Sequence, residues 1–293
     1  MTNYPNILVV GATGKVGGET LRQLQLEGDS NPIAAVRSPE QARTFQDQGI
    51  KTVILDLDEP ETLEPELKDI DRALLLTGYT VDMLRQSKRF LDAAQTTGVQ
   101  HIVHIGASTA PTNEVSHWGW HQMVEAYIEK KGFSYTHLRP EAFMQNITGP
   151  GFRWLDGTVI RHFAGRARWS WIDCDDLALV VAHALREPEK YAGQVIPLGY
   201  DAKTFDEVAE IFTQVTGQNF TAEARPPEEF LENSLAAGAD PAYINSVYTQ
   251  FKLNNEDAIP NADATFNNFA AITGRKPMTW QTFAKRHRNH LIA

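Results

Sequence analysis

Cysteine is almost absent. Cys174 is the only one in 293 residues, so no intramolecular disulfide can form and nothing suggests an oxidising compartment. Long apolar runs are also missing. No segment approaches the length of a membrane span, and the opening stretch MTNYPNILVV lacks the charged start and apolar core of a secretion signal. Positive charge is in deficit too: a formal net charge of -10 argues against general binding to nucleic acid or membrane surfaces, which requires a positive field. These absences predict a cytoplasmic protein that engages neither nucleic acid nor membrane. With 42% hydrophobic and 22% charged residues, the composition is that of an ordinary globular chain, long enough for one large domain or for a domain with a smaller lobe.

Short apolar runs bounded by turn residues recur at Ile7 to Val10, Ile33 to Val36, Thr52 to Leu55, Ala73 to Leu76 and His101 to Ile105, with a sixth from Ser134 to Leu138. Segments of helical spacing separate them, among them Val16, Leu21 and Leu24, and Met83, Leu84, Phe90 and Leu91. Strands alternating with helices imply parallel strands joined by right-handed crossovers, hence an α/β fold with a doubly wound parallel sheet. After Pro140 the pattern changes to aromatic loops and then mostly helices: Asp176 to Leu185, a helix opened by a capping box at Thr204 and Glu207, Glu228 to Leu235, Ala242 to Phe251, Ala264 to Ile272 and Trp280 to His290. The expected organisation is a dinucleotide-binding Rossmann domain over 1-150 and a smaller, helix-rich substrate lobe over 151-293, with segments near 170-200 returning to the first domain.

The stretch Gly11-Ala12-Thr13-Gly14-Lys15-Val16-Gly17 places glycines at intervals of three between a strand and a helix. That context suits a dinucleotide: glycines permit the tight turn and close approach, and the helix N-terminus faces the pyrophosphate. The competing account is a glycine-rich packing turn without a ligand. Cofactor choice is expected at the end of the second strand, where an acid would bind a ribose 2′-hydroxyl and an arginine a 2′-phosphate. The sequence there is Ala35-Val36-Arg37-Ser38, so Arg37 favours NADP(H), with NAD(H) as the lesser partner, unless Arg37 is merely a solvated surface residue. Asp56, beyond the third strand, is placed either to accept a bond from the adenine amine or to cap its own turn. Thr77 and Gly78 after the fourth strand, and Ala107 and Ser108 after the fifth, stand where strand carboxyl ends line a cofactor.

These residues resemble the short-chain dehydrogenase/reductase superfamily, and within it the NmrA-like NAD(P)H-binding proteins. The resemblance rests on GATGKVGG, AVRS, HIVHIGAS, HQMVEAYIEKKGFSYTHLRPEAFMQNI at 121-147, WIDCDDLA at 171-178 and the closing ITGRKPMTWQTFAKRH. It implies either a reductase of quinones, azo dyes or related aromatic acceptors, or a redox-sensing regulator that binds the cofactor without turnover and engages a protein partner. It also implies that Pro140, Glu141, Ala142 and Phe143 run beside the nicotinamide. The superfamily's usual serine, tyrosine and lysine are only partly present. Ser108 matches the serine by position, whereas Tyr127 and Lys131 have the required interval but stand late in a helix. Hydride addition to an electron-poor aromatic gives a stabilised anion that needs one proton donor, and His121, with an ordinary pKa near neutrality, is the expected donor beside Ser108.

Five of the six tryptophans fall between positions 118 and 171. Trp118, Trp120, Trp154 and Trp169, with Phe143, Phe152 and Phe163, suit either the wall of a pocket for a flat aromatic or quinone-like substrate or a packed core. Arg153, Arg161, Arg166 and Arg168 accompany them, either to attract an anionic substituent or as solvated loop residues. Arg139 is expected to pair with a buried acid such as Asp176. His117, His121 and Glu125 share one helical face, but Gly119 between them and the lack of any further ligand cluster argue for no metal.

Overall fold

The computed structural model describes residues 4-149 and 154-292. Phe152 and Arg153, and the expected cut after residue 150, lie outside the described residues. The chain forms two compact units, one of Met1–Ala107, Trp120–Arg139 and Leu177–Ile196, the other of Ser108–Gly119, Pro140–Asp176 and Pro197–Ala293.

The first unit alternates strand and helix: β1 (Asn6–Val9), α1 (Lys15–Glu27), β2 (Asn31–Val36), α2 (Pro39–Gln46), β3 (Lys51–Ile54), α3 (Leu63–Leu67), β4 (Arg72–Leu75), α4 (Met83–Thr97), β5 (His101–Ile105), α5 (Ser116–Lys130) and β6 (Ser134–Pro140). With the later strand Gln194–Leu198 they give a seven-stranded sheet in which β1 has β4 on one side and β2 on the other. The pairings of β1 with β2 and β4, β2 with β3, β4 with β5 and β5 with β6 are all parallel. The fold is therefore the doubly wound α/β type, with its topological switch between β1 and β4. Burial explains the short continuous apolar runs: Ile7, Leu8, Val9, Ala73, Leu74 and Leu75 are wholly enclosed because helices cover both faces of a parallel sheet. Amphipathic spacing docks the helices, with α4 burying Phe90, Leu91 and Ala94 and α5 burying Val124 and Ile128 in the same core as Leu8, Ile33 and Ile102.

The second unit is helical but also carries two small sheets. One joins Ala142–Phe143, Trp169–Ile172 and Asp201–Lys203, and the other Leu155–Asp156, Val159–His162 and Thr221–Ala224. The helix Phe205–Thr216 starts at Thr204, and its capping box with Glu207 is formed in both directions. The helix expected over Ala264 to Ile272 is confined to Phe269–Thr273. Upstream of it the backbone is committed elsewhere, since Ala262 O accepts from Ser170 N–H and Phe266 N–H donates to Gly199 O. Trp154, Trp169, Trp171, Phe205 and Phe251 meet edge to face and stacked, with ring centroids 5.4 to 6.1 Å apart. They form the aromatic core of this unit.

Candidate functional site

The glycine turn is built from the first unit's own backbone. Gly11 has φ +78°, which favours glycine, and Gly14 N–H donates to Gly11 O at 2.9 Å. A Cβ on Gly17 would stand 2.2 Å from Gly11 O, closer than any side chain permits. Gly14 is the N-cap of α1, no side chain caps the helix there, and no acid occupies its first turn. The positive end of α1 is thus left for an external anion. Val16 and Gly17 are buried, whereas Thr13, Gly14 and Lys15 are exposed. A cavity of about 410 Å³ opens at the same turn, lined by Ala12, Thr13 and Gly14 and, from α1 and α2, by Arg22 and Gln41.

Arg37 is exposed just past β2. Its main-chain N–H donates to Gln41 Oε1, and its guanidinium makes no ion pair among the described residues, whereas Arg22 is tied to Glu19 at 2.6 Å. Asp56 Oδ1 accepts from Asp58 N–H at 2.9 Å, so this carboxylate caps its own turn. Half-buried Thr77 and exposed Gly78 follow β4, and half-buried Ala107 follows β5.

Helix α5 is fastened to β6 by charge. Arg139 donates to Glu125 from Nε at 3.1 Å and from its second nitrogen at 2.5 Å. Glu125 is the partner of this arginine; Asp176, the acid expected there, accepts from Met278 N–H instead. Gly106 leaves room for the pair, because a Cβ there would lie 2.9 Å from Glu125 Oε1. Tyr127 donates to Asp92 at 2.6 Å, and Lys131 pairs with the same carboxylate at 2.7 Å, which engages both residues with α4. His121 Nδ1 lies 3.3 Å from His104 Nε2. Burial pushes His121 down to about 4 and holds His104 well below the ordinary value, so both imidazoles are neutral near pH 7.

The second unit gathers hydroxyls around one carboxyl. Buried Ser108 accepts from Ala110 N–H at 3.1 Å. Thr109 donates to Glu141 Oε1 from its N–H at 3.2 Å and its hydroxyl at 3.3 Å, and Ser108 also bonds this carboxyl. Burial nevertheless raises the Glu141 pKa above the ordinary range, and the hydroxyl and amide bonds only partly offset it. A cavity of about 30 Å³ adjoins the group, lined by Ser108, Trp118, Glu141, Trp169, Ser170 and Asn254 among others. In the sequence Glu141 stands out only as one of a run that the family resemblance places beside the cofactor. The usable signal was an acid immediately after Pro140 and ahead of the apolar Ala142-Phe143-Met144.

The expected aromatic set divides between the units. Trp118 and Trp169 line the small cavity, Trp154 lies within the aromatic core at 3% exposure, and Trp120 packs against the core of the first unit. Phe143 is half-buried, and Pro140 is buried at the end of β6. Arg161 pairs with Asp156 and Glu223, and Arg168 with Glu207, while Arg166 is exposed. His117 bonds Ser246 Oγ through both its N–H and Nδ1, each at 2.8 Å. Among the described residues no group of three or more His, Cys, Asp or Glu side chains is placed to hold a metal ion, and no helix is long and apolar enough to cross a membrane.

Known proteins are similar to this chain over nearly its whole length. An NAD(P)H azoreductase of Xenophilus azovorans is 29% identical over 283 residues, covering 96% of this chain and 97% of that protein. Agroclavine dehydrogenase of Claviceps fusiformis is 28% identical over 298 residues, covering 97% of each. The crystal structure of the Citrobacter sp. triphenylmethane reductase complexed with NADP(H) superposes with a TM-score of 0.82 at 25% identity, covering 96% of this chain and 99% of that one. The profile of the NmrA-like family matches residues 4–284, and the chain belongs to that family.

Proposed function

We propose that the protein is an NADP(H)-dependent reductase that passes hydride to an electron-poor aromatic, quinone-type or azo acceptor. The observation that carries this reading is the uncapped N-terminus of α1 behind the glycine turn, together with an exposed Arg37 that has no ion-pair partner among the described residues. The turn residues Gly11, Thr13, Gly14, Lys15, Val16 and Gly17 fit a pyrophosphate, and Arg37 fits the 2′-phosphate that distinguishes NADP(H) from NAD(H). Thr77, Gly78, Ala107, Pro140 and Phe143 stand at strand ends suited to the rest of the cofactor. When bound, the nicotinamide supplies the hydride. The NAD(P)H azoreductase and the triphenylmethane reductase, whose names specify azo and triphenylmethane acceptors, support an aromatic acceptor.

The chain's own contribution beyond binding is a proton. Ser108, fixed by Ala110 N–H, is the hydroxyl we assign to the acceptor's developing anion. His121 is assigned to orientation through His104, because an imidazole held near 4 carries no extra proton near pH 7. Purified protein is titrated with NADPH, and the reduced-nicotinamide absorbance is followed with and without a panel of quinones and azo dyes. Acceptor-dependent loss of absorbance supports the reading. Tight NADPH binding with no loss for any acceptor overturns it in favour of a cofactor-sensing regulator.

A further inference from the structure

The second unit contains a polar feature that hydride delivery alone leaves unexplained. Its cavity of about 30 Å³ is far too small for an aromatic acceptor, yet ample for a water, which needs roughly 10–15 Å³ and two to four polar partners. Such partners are present. Ser170 Oγ, Asn254 Nδ2 and Trp169 Nε1 are buried without a hydrogen-bond partner, and all three residues line this cavity beside Glu141 and Ser108. Each orphaned polar group costs about 1–3 kcal/mol unless something satisfies it, so three around one cavity mark a place built for a polar guest. Gly199 sets the spacing: a Cβ there would stand 2.3 Å from Ser170 Oγ and 3.1 Å from Glu141 Cγ. The serine and the glutamate therefore flank the same bare Cα, and any larger residue would displace the serine hydroxyl.

We propose that Glu141 and a water held in this cavity form the proton supply of the acceptor reduction, with Ser108 as the hydroxyl that hands the proton over. The inference rests on the reductase reading. In the reduction of a quinone, the acceptor gains a hydride, meaning two electrons and one hydrogen, as NADPH becomes NADP⁺. The resulting oxyanion takes the Ser108 hydroxyl proton, and Ser108 Oγ takes the carboxyl proton of Glu141. The Glu141 carboxylate is then reprotonated by solvent through the cavity water, so the net addition is one hydride and one proton. The arrangement suits the role because the groups facing Glu141 are uncharged: Ser108 and Thr109, Ser170 on the strand Trp169–Ile172, Trp118 on α5, and Gln250 and Asn254 on the helix Pro241–Asn255. Among the described residues no cation competes for its negative form. Glu141 acts through Ser108 and is a positioning and proton-holding residue.

The test pairs a spectroscopic readout with a kinetic one, using Glu141→Gln, which keeps the size of the side chain and the acceptor for Thr109 N–H. Infrared spectra of the cofactor-free protein are compared, wild type minus variant, between about pH 5 and 8. The expected result is a protonated-carboxyl carbonyl band in wild type that persists to higher pH than that of a solvent-exposed glutamate, because burial disfavours the carboxylate, and that fades as pH rises further. Asp176, which burial raises to about 7, contributes to both spectra and cancels; in an Asp176→Asn background the same band should remain and Glu141→Gln should remove it. With NADPH and a quinone, Glu141→Gln should lower kcat on the order of 10²-fold, leave the NADPH Kd unchanged and abolish the high-pH decline of the wild-type kcat profile. Ser170→Ala, which removes a water ligand but no titrating group, should lower kcat by less and keep that decline.

A band that is absent, or that fades where a solvent-exposed glutamate ionises, overturns the proposal, as does a Glu141→Gln enzyme with wild-type kcat and pH profile. If Glu141→Gln does not fold, the Asp176→Asn spectrum and the Ser170→Ala profile decide in its place. A wild-type protein that binds NADPH but oxidises it with no acceptor overturns the reductase reading itself, and the relay with it. That outcome is distinguishable because it appears without any substitution.

Discussion

Past the end of β2 the exposed guanidinium of Arg37 makes no ion pair among the described residues, so an incoming 2′-phosphate displaces no acid from it. A charge-assisted bond of this kind contributes about 1.5–3 kcal/mol. Arg37→Ala is therefore expected to raise the NADPH Kd roughly 10- to 100-fold while changing the NADH Kd only a few-fold, as isothermal titration would show; an unchanged ratio would remove Arg37 from cofactor choice. Asp176 couples stability to pH. Burial raises its pKa from 3.8 to about 7, against the opposing bond from Met278 N–H. Folding therefore favours the neutral acid, and this penalty on the folded state is absent in acid. It grows as pH rises from about 4 to 7 and then levels off. Asp176→Asn, which keeps an oxygen for Met278 N–H, should stabilise the protein on the order of 2 kcal/mol near pH 8, with the gain shrinking on acidification. A gain in Tm that is the same at pH 5 and 8 would show that the carboxyl ionises freely.

Among the elements, the fastening of α5 to β6 has the most to lose. Glu125 is 4% exposed, and its carboxylate accepts from two nitrogens along one edge of the Arg139 guanidinium. Truncation leaves a partly buried guanidinium without its counter-charge, so Glu125→Ala should cost about 3 kcal/mol in chemical denaturation. Glu125→Gln, which can still accept one bond, should cost less. The glycine turn between β1 and α1 has a sharper requirement. Gly17→Ala places a methyl 2.2 Å from Gly11 O, so the turn must open; NADPH binding should fall below detection in the same titration while the circular dichroism stays native. The elements of the first unit were legible because most of their strands are short apolar runs, wholly buried in β1, β4 and β5 and half-exposed only at the edge strand β3, and β1 to β6 lie within two residues of the segments read from sequence. The strand Gln194–Leu198 was not, since Pro197 breaks the strand pattern. That strand occupies the sheet edge, where a missing N–H is tolerated. The strands of two to four residues in the second unit carry no periodicity of their own and exist through their pairing partners.

For the molecule as a whole, the sequence located the cofactor end better than the acceptor end. A glycine spacing is local, and a three-residue rule reads it directly. Whether a tryptophan walls a pocket or fills a core depends on its neighbours, which arrive from distant segments: Trp154 meets Phe205 and Phe251. The same holds for titration. His121 has an unremarkable sequence context, and only its enclosure beside His104 lowers its pKa. Glu141 looks like a surface acid until Thr109 and Ser108 close around it. The most direct test of hydride transfer uses NADPH carrying deuterium at the transferable position of the nicotinamide and a cationic triarylmethyl dye, whose product holds the label in a non-exchanging carbon bond. The account predicts that the purified protein moves the label into the reduced dye, as read by mass spectrometry, with matching loss of NADPH. Saturating NADPH binding with no deuterium in the dye would contradict it.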